Sequence, residues 1–146
     1  MSGGPAASST SGGHLAALEK FYDAETRYVA SGGANFAEMA THIHPEVILH
    51  HGPSAPLPGD WKGIQGIERF FAAFSETWSS LDLSEVTYFE GERGVAISLR
   101  MQATARATGR ELDARVAQFI VFDGGLIRDF TVYYLDPVGV SDVTRA

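Results

Sequence analysis

The 146-residue chain contains no cysteine. Disulfides, thiolate metal sites and a cysteine nucleophile are therefore excluded, and the absence fits a reducing compartment; we expect a cytoplasmic protein. Basic residues are few, 11 Lys and Arg against 18 Asp and Glu, for a formal charge of −7. Such a field repels phosphate backbones and anionic lipid, and no basic run offsets it. Neither nucleic acid nor a membrane is an expected partner. No apolar stretch approaches the ~20 residues that a membrane span needs, and the N-terminus lacks the basic start and apolar run of a signal peptide. A Gly-x-Ser-x-Gly elbow and a Gly-rich phosphate loop between strand and helix are both missing.

What is present is ordinary globular composition, 45% hydrophobic and 20% charged residues, in a length that suits one domain with one core. Residues 1–13 are mostly Gly, Ser, Ala and Thr and read as a flexible tail. The domain is expected over 14–138, with a short polar tail at 139–146.

Apolar residues recur at helical spacing from His14 to Ala30 (Leu15, Leu18, Phe21, Tyr22, Tyr28, Val29), and Ser31-Gly32-Gly33 stops that helix. Asn35 is a candidate N-cap for a short second helix to Thr41. Val47–His51 reads as a strand and the proline-rich segment Gly52–Gly63 as a loop. Ile67, Phe70, Phe71, Phe74 and Trp78 form a broad apolar stripe on a third helix, Gly66–Ser79. The period then changes to two. Strands are expected at Leu83–Glu90, Val95–Arg106, Leu112–Phe122 and Leu126–Leu135, with Asp123-Gly124-Gly125 as a hairpin turn. Helices followed by a run of strands imply an α+β fold: a cone-shaped, curved antiparallel sheet wrapped around three helices and enclosing a pocket.

Three stretches carry a family resemblance. Pro45-Glu46-Val47, the segment Pro56-Leu57-Pro58-Gly59-Asp60-Trp61-Lys62-Gly63, and Ile67 to Phe74 resemble the front half of SnoaL-like domains. Asp123-Gly124-Gly125-Leu126-Ile127 with Tyr133 to Asp136 is similar to their back half. The superfamily is that of nuclear transport factor 2, with ketosteroid isomerases, polyketide cyclases, scytalone dehydratase and limonene epoxide hydrolase among its members. The resemblance implies a homodimer of cones, each with an apolar pocket and a few polar groups at its base. Carried over by position, the isomerase's general-base carboxylate falls on His51 and its oxyanion-binding acid on Gln118. Its tyrosine falls nearest Tyr22, although Thr26 and Arg27 are closer by strict spacing. The cyclase aspartate of the last strand falls on Val132, and the hydrolase Arg-x-Asp resembles Arg100-Met101-Gln102. Both family carboxylates are therefore replaced, which leaves a histidine-based mechanism or a noncatalytic role.

Read as residues, His51 is an imidazole at a strand end, able to take or return a proton near neutral pH. Gln118 shares a face with Val116, Ile120 and Phe122, where an amide is buried and needs partners. Its functional use would be a donor to a ligand oxygen. Arg100 and Gln102 share one strand face, which is either solvated or a clamp for a polar ligand group. His42, His44, His50 and His51 cluster in sequence, but no Asp and only Glu46 joins them locally, so no metal site is expected. Phe70, Phe71 and Phe74 cannot all face one way, which leaves some for a pocket mouth.

The expectation is a cofactor-independent isomerase, cyclase or dehydratase acting on a hydrophobic, carbonyl-bearing ring compound. His51 would be the base and Gln118 the oxyanion donor. Tyr22, His50, Trp61, Phe74, Arg100, Gln102, Val132 and Tyr134 would contact substrate. The alternative is a noncatalytic binding module with the same pocket.

Overall fold

The computed structural model describes residues 4–145, with side chains from residue 13 onward. Helix α1 (Gly4–Ala30) begins well before the periodic apolar pattern, and its packed face starts at Leu18. Gly32 and Gly33 end it at φ of 76° and 104°, each donating back to the last turn as a left-handed C-cap does. Helix α2 (Phe36–Ala40) follows. Asn35 precedes it at φ 65° but makes no side-chain cap bond, so its contribution is the backbone turn alone.

Strand β1 (Ile43–His51) starts before Pro45, earlier than the sequence reading placed it. The proline is tolerated because the pairing of β1 with its neighbour shifts register between Ile43 and Ile48, where a missing N–H costs no ladder bond. Strand β2 (Gly59–Lys62) lies in the segment read as a loop. It pairs antiparallel with the end of β1 as an edge strand, and prolines Pro53, Pro56 and Pro58 all precede it. Helix α3 (Gly63–Thr77) yields directly to β3 (Trp78–Glu90). Strands β4 (Gly94–Ala105), β5 (Glu111–Asp123) and β6 (Leu126–Tyr134) complete the meander. Residues 137–142, which composition left at the edge of a polar tail, form α4 (Pro137–Asp142), and Val140 is buried.

The described residues form four helices and a curved, unclosed six-stranded sheet of order β2-β1-β6-β5-β4-β3. All neighbours are antiparallel except β1 and β6, which run parallel. The expected four-strand meander is antiparallel throughout, and the parallel pair arises because β1 precedes α3 and is reached by β6 only after the whole meander. Along β4, Ile97, Leu99 and Met101 are buried while Ser98, Arg100 and Gln102 face outward, the alternation that a half-buried sheet requires. Helix α1 packs on β3 and α3 on β1, and the core fills the space between helices and sheet.

Candidate functional site

A cavity lies within this core. Its apolar lining comes from Phe70, Phe71 and Phe74 of α3, Leu99 and Met101 of β4, and Phe130 and Val132 of β6. Four polar side chains also line it: Glu25 of α1, His51 of β1, Gln118 of β5 and Tyr134 of β6. About 420 Å³ is free of atoms when the mouth is included, but only about 30 Å³ admits the centre of a water-sized sphere. The smaller figure decides what fits as the walls stand, since a water needs roughly 10–15 Å³ on that measure. A fused-ring ligand would have to displace aromatic walls.

His51 is 5% exposed at the end of β1. Its Nδ1 lies 3.1 Å from the Leu57 carbonyl oxygen and its Nε2 2.9 Å from the Tyr134 hydroxyl. A carbonyl can only accept, so Nδ1 carries the hydrogen and Nε2 receives the phenol proton. Burial holds the imidazole below its usual range against the opposing pull of the backbone carbonyls, which leaves a neutral base at neutral pH. Leu57 holds φ 58°, a conformation that costs a bulky residue on the order of 1 kcal/mol. The same carbonyl also receives Trp61 Nε1 at 3.2 Å. The strained turn therefore fixes the His51 tautomer.

Gln118, 9% exposed, accepts the Tyr22 hydroxyl on Oε1 at 2.5 Å. Its amide nitrogen has no partner among the described residues and is left to serve the cavity, which Gln118 lines, as a donor. Tyr22 is buried behind it and is not among the lining residues; burial foremost, then Glu25 and Tyr88, hold its phenol well above the usual range. Tyr134 is likewise raised, by burial first and by Glu25 second.

Glu25 was missed by the sequence reading. It is 8% exposed and lines the cavity, and its carboxyl, which makes no side-chain hydrogen bond among the described residues, faces the cavity rather than being sealed in the core. Burial pushes its carboxyl up to about 8.

Several expected contacts lie elsewhere. Phe70, Phe71 and Phe74 all line the cavity, contrary to the expectation that they diverge, because positions i, i+1 and i+4 fit within one broad helical face. Val132 and Tyr134 line it as well. Trp61 does not; it packs edge-on against Phe70 at 5.4 Å. Arg100 and Gln102 point outward, on the opposite side of β4 from Leu99 and Met101. Arg100 makes a bidentate pair with Asp113 (2.8 and 2.6 Å) and reaches Glu85 at 3.2 Å.

His50, one residue before His51, also takes the outer face, by the two-residue period of the strand. Its Nδ1 meets Asp60 of β2 at 2.8 Å and its Nε2 meets Asp129 of β6 at 3.0 Å. Burial lowers its pKa, but the two carboxylates outweigh that and raise it overall. Stability from this clamp is full below the unfolded value near 6.5 and fades as pH rises through the folded value. His50→Gln is expected to lower stability at pH 6 by no more than ~1 kcal/mol, given the partial exposure. The deficit should shrink at pH 9. Thermal melts of both proteins at the two pH values check this, and an equal deficit at both would refute the clamp.

Comparison with known proteins agrees with the geometry. Residues 18–130 match the profile of the SnoaL-like domain. No curated protein matches in sequence. Among solved structures, an NTF2-like protein from Burkholderia thailandensis superposes with a TM-score of 0.76 at 21% identity, covering 91% of this chain and 98% of that one. An isomerase candidate from Rhodopseudomonas palustris gives 0.71 at 20% identity, with 87% and 94% covered. A SnoaL-like polyketide cyclase candidate from Jannaschia sp. gives 0.72 at 10% identity, with 92% and 93% covered. At such identities the structures speak for the fold, and the profile match spans most of the chain: this protein belongs to the SnoaL-like domain family.

Proposed function

We propose that the protein is a cofactor-independent enzyme that removes a proton next to the carbonyl of a small molecule, as an isomerase or dehydratase does. The observation that carries this reading is a neutral, tautomer-fixed His51 bonded to Tyr134 in the same cavity as a Gln118 amide with a free N–H. The substrate carbonyl accepts from Gln118 Nε2. The α C–H bond breaks, its electrons move onto the carbonyl oxygen, and the proton passes to the Tyr134 oxygen. The phenol's own proton passes to His51 Nε2. The resulting imidazolium keeps its Nδ1–H bond to Leu57, and reversal of the relay returns the proton to a different atom. A neutral amide stabilises an oxyanion less than a charged group does, so modest acceleration is expected.

The ring compound of the sequence reading gives way to a smaller substrate, because the enclosed space is far below the ~300–1,000 Å³ of sites for drug-sized ligands. The test is hydrogen–deuterium exchange at the α carbon of small ketones in heavy water, followed by proton NMR. Enzyme-dependent loss of the α signal supports the reading. Binding without exchange across the ketone series replaces it with a noncatalytic module.

The protein is also proposed to form a homodimer through the outer face of the sheet. Phe119 and Tyr133 stack edge-on there at 5.7 Å, both more than half exposed, and Leu135 is exposed as well. Sedimentation should give twice the chain mass, and Tyr133→Lys should shift it toward the monomer; a monomer at all concentrations would refute this.

A further inference from the structure

The polar groups of the cavity are unequal in their needs. Gln118 is held by Tyr22, and His51 by Leu57 and Tyr134. Glu25 makes no side-chain hydrogen bond among the described residues, and since no fully buried side-chain oxygen there goes unpartnered, its carboxyl opens onto the cavity. Isolated carboxyl groups are costly to bury, and the ionised form costs far more unless a cation joins it. The lining supplies none. The titratable groups around Glu25 are His51 on β1 and Tyr134 on β6, with Tyr22 on its own helix and Tyr88 of β3 beyond. Helix α3 contributes only Phe70, Phe71 and Phe74 to the lining, β4 only Leu99 and Met101, and β5 only Val116 and Gln118.

A donor for a ligand carbonyl is already present in Gln118, so a second neutral donor would add little. What the cavity lacks is a countercharge. Aromatic faces attract ammonium groups, and the space of about 30 Å³ is of the size of roughly two to three waters. The chain's charge of −7 favours the approach of a cation.

We propose that Glu25 is the receptor for a small ammonium group, and that the ligand of this cavity is a compact amine. This deepens the preceding reading, on which it rests for the use of the cavity, by making the substrate an amino-carbonyl compound. Binding brings together a protonated carboxyl and an ammonium, and only one of those two protons remains shared between them. Close to one proton is therefore released per ligand bound at pH 7, because Glu25 titrates near 8.

The experiment compares three ketones of similar size and different charge: aminoacetone, hydroxyacetone and pyruvate, with methylammonium as an amine lacking the carbonyl. Calorimetry at pH 7 in two buffers of different ionisation enthalpy gives both affinity and protons released. Aminoacetone is expected to bind about tenfold to a hundredfold more tightly than hydroxyacetone, with release of nearly one proton, and pyruvate to bind weakest. Glu25→Gln, which keeps the shape, should abolish the release and the preference while leaving the thermal melt cooperative. Equal binding of hydroxyacetone, binding of aminoacetone without proton release, or no amine binding at millimolar concentration overturns the proposal. Methylammonium binding with proton release and no α exchange in any ketone would leave this proposal standing and sink the catalytic one. Exchange of hydroxyacetone with no amine preference would do the reverse.

Discussion

Replacing Tyr134 by phenylalanine is expected to lower α-proton exchange by about a hundredfold to ten-thousandfold, as much as replacing His51 by alanine. The reason is geometric. The Nε2 lone pair of His51 points at the Tyr134 hydroxyl, and Nδ1 is occupied by Leu57. His51 therefore reaches a substrate only through the phenol. Removing the hydroxyl breaks the relay, and removing the imidazole leaves a phenol that burial keeps protonated and that has no acceptor for its own proton. The double variant should be scarcely worse than either single one, since residues that act as a unit are not additive. Rates from NMR exchange decide between routes. If Tyr134→Phe retained full activity while His51→Ala lost it, the base would act directly and the relay would be wrong. The pH profile carries a sign as well: burial lowers the His51 pKa, so activity should already be near its plateau at pH 7 and fall only in acid.

The second large effect concerns stability. Glu25 has a folded value of about 8 against 4.5 for the free side chain. The folded state therefore holds a proton that the unfolded chain has lost, throughout that interval. Stability from this group is full below about pH 4.5, declines by ~1.4 kcal/mol per pH unit as pH rises, and levels off above about 8. Glu25→Gln removes the slope. Relative to the parent protein, the variant should gain about 3 kcal/mol between pH 5 and pH 8, whatever its offset from burying an amide. Denaturant titrations at several pH values measure this. Parallel curves for the two proteins would mean that Glu25 ionises freely in the folded state.

Much of the fold was legible because its periods are clean. The β4 alternation has a single reading and so has the α3 stripe as far as Phe74, although Trp78, read as its last member, opens β3 instead; the Asp123-Gly124-Gly125 turn joins β5 to β6 as expected. The edges failed where a local rule met tertiary context: Pro45 sits inside β1 because the ladder is interrupted there. Within the site, the family resemblance pointed to His51, which strand parity alone did not separate from His50, and parity and resemblance together pointed to Gln118; both line the cavity. Glu25 was legible and overlooked. It lies seven residues after Leu18 and four after Phe21, in the middle of the apolar face of α1, and a carboxylate at such a position is the signal. Parity already set Arg100 and Gln102 opposite Leu99 and Met101, and the outward face is the solvated alternative of the two that the sequence left for them. The size of the cavity was not legible, since it depends on how three phenylalanines fill the interior.

The parallel pairing of β1 with β6 has a kinetic consequence. His51 and Tyr134 stand 83 residues apart in the chain, and Glu25 lies further still from Tyr134. Hairpins such as β3–β4 and β4–β5 close over short loops, whereas the β1–β6 pair must bear the entropy of closing the longest one. The meander can therefore form while the cavity still lacks the walls that α1, β1 and α3 supply. The reactive pair appears only with the last and slowest contact, so the proton relay comes into being at the completion of folding and is absent from any partly folded chain.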